Sequence, residues 1–304
     1  MYDVIILGSG PAGLTASIYA ARGGKKCAVL AGVDIGGQAT KTSKIENYSG
    51  VADVEGFTLM STMLEQAMSF DVEIRYENAV EVFLDGKVKK IKTDTNNVLE
   101  AKTVIIATGA KPRKLGVEKE DELTGHGVAY CATCDGGFFR NKPVAVAGGG
   151  NTALTSALYL ANLCSKVYLI HRRQGFRGAQ ILVDRAKAND KIEFVLDSTI
   201  KTLIGEESLE KIVVHNKITN EDKELDVDAV FVSLGTIPNV DFLSGQVQLD
   251  EYGQIITDVK MNTNIEGVFA AGDVRNTPLK QVITACADGA IAAESAMAYI
   301  EEME

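Results

Sequence analysis

The chain has 304 residues, more than one ordinary hydrophobic core organises, so its length favours two domains. Apolar residues make up 46% and charged ones 24%, which excludes a disordered chain, and the 29 glycines against 5 prolines point to tight turns and close backbone approaches. A net charge of −10 offers no electrostatic attraction to a phosphate backbone and argues against nucleic acid as a partner.

Along the chain, Asp3 stands where a basic targeting region would begin, and no small-residue cleavage site succeeds it. Val4 to Ala21 carries no charge, but Gly8, Gly10, Pro11 and Gly13 interrupt it. It reads as a strand, a turn and a helix, not as a membrane span. Residues 8 to 21, GSGPAGLTASIYAA, return at 148 to 161 as GGGNTALTSALYLA, without a gap. Each copy comes after a short β run (Val4 to Leu7, Val144 to Ala147) and precedes another (Cys27 to Leu30, Val167 to Ile170). Strand, glycine turn, helix and strand make a mononucleotide-binding unit, and this chain has two. In each, the first glycine permits the turn, the second admits a pyrophosphate, and Gly13 or Ala153 lets helix and strand pack closely. The helix start then offers N–H groups to phosphate.

The residues just past the second strand of each unit separate the two ligands. In the later unit these are His171, Arg172 and Arg173, with Arg177 one helical turn further. Guanidinium groups there suit a ribose 2′-phosphate by charge and by fork geometry, so this unit is expected to bind NADPH. In the earlier unit the corresponding position is Ala31, with Asp34 the nearest acid, which excludes NADP there. The case for FAD in that unit rests on two further buried strands. Thr103 to Ala110 (TVIIATGA) ends in a small-residue turn at Ala107, Thr108 and Gly109; Gly267 to Asp273 (GVFAAGD) delivers Gly272 and Asp273 to a sheet edge. A helix starting near Lys280, Gln281 and Val282 would aim N–H groups at the same place. Because the second unit lies between these strands, the first domain is expected to be discontinuous: residues 1–113 and 240–304, with 114–239 inserted.

Cys131-Ala-Thr-Cys134 is the one close cysteine pair. A structural zinc site wants four ligands; with His126 as a third, a fourth is missing, so no metal is expected. A redox dithiol is the stronger reading, since two intervening residues close a small, readily reduced ring. Asp135 comes directly after it and would serve as a proton donor to a thiolate if burial raised its pKa. Cys27, Cys164 and Cys286 lie in apolar runs and read as core residues, as expected in a reducing cytoplasm.

GSGPAG, GGQ (Gly36, Gly37, Gln38), ATGA, CATCDG, GGGNTA, HRRQGFR and GVFAAGD stand in the order found in low-molecular-weight thioredoxin reductases, which the chain resembles over its whole length. The resemblance implies an α/β fold of two Rossmann-like three-layer domains, the second inserted into the first. It implies a cytoplasmic homodimer that passes electrons from NADPH through FAD and a Cys131–Cys134 disulfide to thioredoxin. Asp135 would be the acid. FAD would be held by Gly8, Gly10, Pro11, Ala12, Gly13, Gly37, Gln38, Asn47, Ala107, Thr108, Gly109, Gly272, Asp273, Lys280, Gln281 and Val282. NADPH would be held by Gly148, Gly150, Asn151, Thr152, His171, Arg172, Arg173 and Arg177. The chain departs from the family pattern at Thr155 and Ser156, where an acidic pair is usual, at Gly137, an aromatic position, and at His126 and Lys280, usually arginines. The alternative is a related flavoprotein disulfide reductase or dithiol oxidase with another partner or electron donor.

Overall fold

The computed structural model describes residues 1–32, 35–42, 45 and 47–303; Asp34 lies outside the described residues. The chain begins with β1 (Tyr2–Leu7), α1 (Pro11–Arg22), β2 (Cys27–Leu30), α2 (Gly56–Met68) and β3 (Glu73–Arg75). A meander comes next, β4 (Ala79–Phe83), β5 (Lys89–Thr93) and β6 (Val98–Ile106), then the short β7 (Ala110–Pro112). The chain continues through β8 (Val128–Ala129), α3 (Ala132–Asp135), β9 (Pro143–Ala147), α4 (Asn151–Leu163), β10 (Lys166–Ile170), α5 (Gln180–Lys187) and β11 (Ile192–Val195). After β12 (Ser198–Ile204), β13 (Lys211–Asn216), β14 (Asp222–Asp226), β15 (Ala229–Val232) and β16 (Thr236–Pro238), it closes with β17 (Val268–Ala270) and α6 (Val282–Met303).

These elements form two compact units, residues 1–111 with 237–304, and residues 112–236. In the first, β3-β2-β1-β6 run parallel, and the long β6 serves two neighbours. Its N-terminal half pairs antiparallel with β5, its C-terminal half parallel with β17. Strands covered on both faces read as continuous apolar runs, and Val4–Ile6, Val104–Ile106 and Ala270 are wholly buried here. One face packs on α1, α2 and α6; the other is closed by the meander and by Leu243, Val247 and Ile255. In the second unit, β11-β10-β9-β15-β8 form a wholly parallel sheet. The helices α4 and α5 lie on one face, and the antiparallel β12-β13-β14 covers the other. Both units are therefore three-layer α/β folds, and both take the strand–turn–helix–strand course read from the repeat.

The strand expected over Gly267 to Asp273 is shorter. It stops at Ala270, because Gly272 turns at φ +77° and its N–H is taken by the Asp288 carboxylate (3.1 Å), so Asp273 sits in a single 3-10 turn. The two crossings between units run side by side as the pair β7 and β16. Thr108 and Asn239 bond reciprocally beside them, Oγ1 to backbone O at 2.7 Å and Nδ2 to backbone O at 2.8 Å. Among the described residues no helix is long and apolar enough to cross a membrane.

α1 and α6 approach closely because both present small residues: Ala16, Ala20, Ala292, Ala293 and Ala296 are fully buried between them or on the sheet. Gly289 faces α1 so tightly that a Cβ there would overlap the carbonyl oxygen of Ala12. Gly289→Ala must therefore push α6 away from the first turn of α1. It should cost about 2 kcal/mol or more, read as a lower midpoint of chemical or thermal unfolding than that of Ala290→Gly in the same helix.

Candidate functional site

In the first unit the segments expected to share a ligand meet at the carboxyl edge of the parallel sheet. Gly8 turns at φ +110° with its Cα against the backbone of Ala107, where a Cβ would overlap the carbonyl oxygen. Gly10, by contrast, faces open space, and no side chain caps α1, whose first residue Pro11 has no N–H to satisfy. The N–H groups of Ala12 and Gly13 are thus left for a ligand at the positive end of a twelve-residue helix. A short 3-10 helix, Gly37–Lys41, brings Gly37 and Gln38 beside this turn; Gly37 lies over Gly10, at 3.4 Å from a built Cβ to Gly10 Cα. Ser9 holds that loop in place, its Oγ donating to Ala31 O and accepting from Gly36 N, both at 3.3 Å. Gly272 packs on Ala12, which sets Asp273 at the mouth of the same turn.

Burial raises the Asp273 carboxyl above the usual carboxylate range; nearby Lys280 opposes that shift while donating to Asp273 O at 3.0 Å. Gln281 is bonded by Asn47 (2.9 Å), and Val282 opens α6. Thr108 spends its hydroxyl on Asn239, and Gly109 (φ +65°) turns the chain toward β7. These features fit a dinucleotide: an uncapped helix start, a glycine with room above it, and a carboxylate that can accept from a sugar or ribityl hydroxyl.

Two residues that sequence reasoning missed hold this edge together. Asp288 is 8% exposed and accepts from Gly272 N and from Arg275 Nη1 (3.0 Å), while Arg275 Nε donates to Thr257 Oγ1 at 2.6 Å. Removing one partner of such a buried pair costs about 3–5 kcal/mol. The available signal was a lone acid inside the apolar run Val282 to Ala293.

The second unit repeats the turn. A Cβ on Gly148 (φ +156°) would overlap Ser233 O, Gly150 is open, and Ala153, fully buried, packs against Gly148. Thr152 and Asn151 are exposed at the start of α4. Arg172, Arg173 and Arg177 are exposed, and among the described residues no carboxylate pairs with them. They do not lie on a helical turn as expected: residues 172–179 form no helix, because Arg177 N bonds back to Gly149 O (2.9 Å) and Ala179 N to Asn151 Oδ1 (2.7 Å). α5 begins only at Gln180.

Cys131 and Cys134 are joined in a disulfide, Cα to Cα 5.3 Å, at the start of the one-turn α3. Cys134 N donates to Cys131 Sγ at 3.2 Å, and Asp135 N to Cys131 O at 3.0 Å. Burial pushes the Asp135 carboxyl up to about 6. Just before the pair, Tyr130 donates its hydroxyl to Glu120 (2.9 Å), a carboxylate 3% exposed that also accepts from Leu115 N and Gly116 N at 2.7 and 2.8 Å. Glu120 escapes notice in the sequence, where it hides in a run of charged residues. After the pair, Gly136 is buried on Leu160 (2.8 Å from a built Cβ), Phe139 meets Phe231 edge-on at 5.8 Å, and Phe138 is 46% exposed. Cys27, Cys164 and Cys286 are buried, and burial pushes the first two thiols up to about 11.

Residues 2–289 match the pyridine nucleotide-disulphide oxidoreductase family. The chain belongs to that family. Within it, similar proteins include thioredoxin reductases: that of Peptoclostridium acidaminophilum is 46% identical over 99% of this chain and 98% of its own, and that of Helicobacter pylori 45% identical over 99% of each. The thioredoxin reductase structure from Streptococcus pyogenes superposes with a TM-score of 0.92 at 42% identity, covering 99% of both chains. The one from Giardia duodenalis gives 0.92 at 32% identity and the same coverage. The chain is thus a family member of the low-molecular-weight thioredoxin reductase type.

The raised Asp135 carboxyl has a stability consequence with a definite sign. A carboxyl whose folded pKa is about 6 against an ordinary value of 3.8 costs nothing below the lower value, and the fold loses stability as pH rises from there to 6, because the unfolded chain gives up its proton first. Asp135→Asn should therefore match the unmodified protein in unfolding free energy near pH 4. It should gain on it between pH 4 and pH 6, where the unfolded chain ionises and the folded one does not, and hold a lead of about 3 kcal/mol above pH 6.

Proposed function

We propose that this protein is a thioredoxin reductase in the full sense: NADPH reduces the Cys131–Cys134 disulfide by way of FAD, and the resulting dithiol reduces thioredoxin. The observation that carries the reading is the disulfide itself, next to a carboxyl held near neutrality, in the same unit as a nucleotide turn faced by three arginines. FAD, when bound, would supply a two-electron carrier between the nicotinamide and the disulfide. Gly10 to Gly13 and the start of α6 would hold its phosphates and ring system, with Asp273 on a hydroxyl. Arg172, Arg173 and Arg177 would hold the 2′-phosphate of NADPH.

The remaining chemistry belongs to the protein's own groups. Two electrons and two protons turn the disulfide into two thiols, and Asp135 supplies a proton to the thiolate of Cys134. A thiolate of the reduced pair then attacks the disulfide of oxidised thioredoxin, forming a mixed disulfide and releasing a thiolate. The second cysteine displaces the reduced thioredoxin, and the Cys131–Cys134 bond is restored. An acid of pKa about 6 suits this work, being able both to give and to retake a proton near pH 7. Three buried, unpaired cysteines beside one reducible disulfide favour a reducing cytoplasm, and the family resemblance favours a homodimer.

Anaerobic titration of the flavin-loaded protein with NADPH should bleach the flavin absorbance, and adding oxidised thioredoxin should restore it. Cys134→Ser should still bleach but fail to pass electrons on; thioredoxin reduction at an undiminished rate by that variant would remove the disulfide from the path. In the same assay, replacing Arg172 and Arg173 with alanine should raise KM for NADPH by about 100-fold and leave KM for NADH nearly unchanged, since charge-assisted hydrogen bonds contribute about 1.5–3 kcal/mol each.

A further inference from the structure

His171 opens the arginine segment, yet its surroundings do not suit a nucleotide ligand. The residue is 6% exposed, and its Nε2 lies 3.1 Å from Gly175 O. A carbonyl oxygen can only accept, so Nε2 carries the proton and spends it there. Burial and the three neighbouring arginines push the imidazole below its ordinary pKa, which leaves Nδ1 a lone pair that repels an anion. The ring therefore has no donor left for a phosphate.

The ring's other contacts tie the loop to the glycine turn. The ring stacks on Phe176 (centroids 4.9 Å apart, planes at 26°), and Phe176 in turn meets Phe194 of β11 edge-on at 5.6 Å. The imidazole also covers Gly149 in the glycine turn so closely that a Cβ there would overlap it. Arg177 N bonds Gly149 O from the far end of the same loop. The loop that carries Arg172, Arg173 and Arg177 is thus fastened to the glycine turn at both ends, with a column of three rings as its inner support.

Resting on the reading of this unit as the NADPH site, we propose that His171 is a positioning residue and not a ligand. Its ring, bonded to Gly175, stacked on Phe176 and pressed on Gly149, holds the arginine loop against the glycine turn and so sets the affinity for a ribose 2′-phosphate. Phe176 shares that role without being able to touch the phosphate through any polar atom.

Calorimetric titration of the flavin-loaded protein with adenosine 2′,5′-bisphosphate and with adenosine 5′-monophosphate separates the roles. The unmodified protein tests the NADPH reading itself: equal affinity for the two probes would remove that reading, whatever His171 does. Given a preference for the bisphosphate, Phe176→Ala and His171→Ala should each weaken it about tenfold, leave the monophosphate unchanged, and combine to less than the product of their separate effects. Phe176→Tyr, which keeps the stacked ring, should bind as the unmodified protein does and guards against reading a folding defect as a binding effect. Weakening by His171→Ala without weakening by Phe176→Ala would make the imidazole a direct ligand and overturn the proposal. Equal loss of both probes would overturn it too, by placing the damage in the glycine turn, and so would no loss at all.

Discussion

Backbone lying directly on backbone is the constraint on which the rest of this molecule depends. At Gly8 the chain touches Ala107, and at Gly148 it touches Ser233; a Cβ at either would overlap a carbonyl oxygen, and both residues stand at positive φ. Those contacts bring the end of the first strand of each unit against the strand that lies beside it in the sheet but far along the sequence. The ligand edge of each unit is assembled by that approach. In the first unit the closeness continues inward: Gly272 sits on Ala12 and Gly289 on the Ala12 carbonyl, so α1 and α6 can share one mouth.

Buried carboxylates do the second share of the work, and their surroundings give them different tasks. Asp288 is bonded by Gly272 N and Arg275, so it acts as a brace that shapes the turn bearing Asp273. Glu120 accepts from two backbone N–H groups and Tyr130, fixing the residue next to Cys131. Asp135 is the exception. Burial sets its titration, with no hydrogen bond or cation among the described residues to offset it, which holds the carboxyl near 6 and ready to exchange protons.

Much of this was legible in the sequence because the signals are local. The doubled strand–glycine–helix pattern, the Cys131–Cys134 spacing and the arginines after β10 are each contained in one short stretch, and each names a chemistry by residue type alone. The apolar runs of β1, β6 and β17 announce strands covered on both faces. Other features were read imperfectly for a physical reason. The segment after His171 looks helical by spacing, but its N–H groups find better partners in Gly149 and Asn151, and the strand before Asp273 stops early because Asp288 captures the next N–H.

The sequence by itself determined the set of parts: two nucleotide turns, a reducible cysteine pair with an acid beside it, and a basic loop on one turn only. Tertiary structure alone decided how they are held. Asp288 reaches Gly272 across 16 residues, Asn47 reaches Gln281 across 234, and the His171 ring covers Gly149 from a neighbouring strand. Hydrogen bonds and ring contacts of that kind depend on which distant backbone atoms burial leaves without water, and no local pattern of residues encodes it.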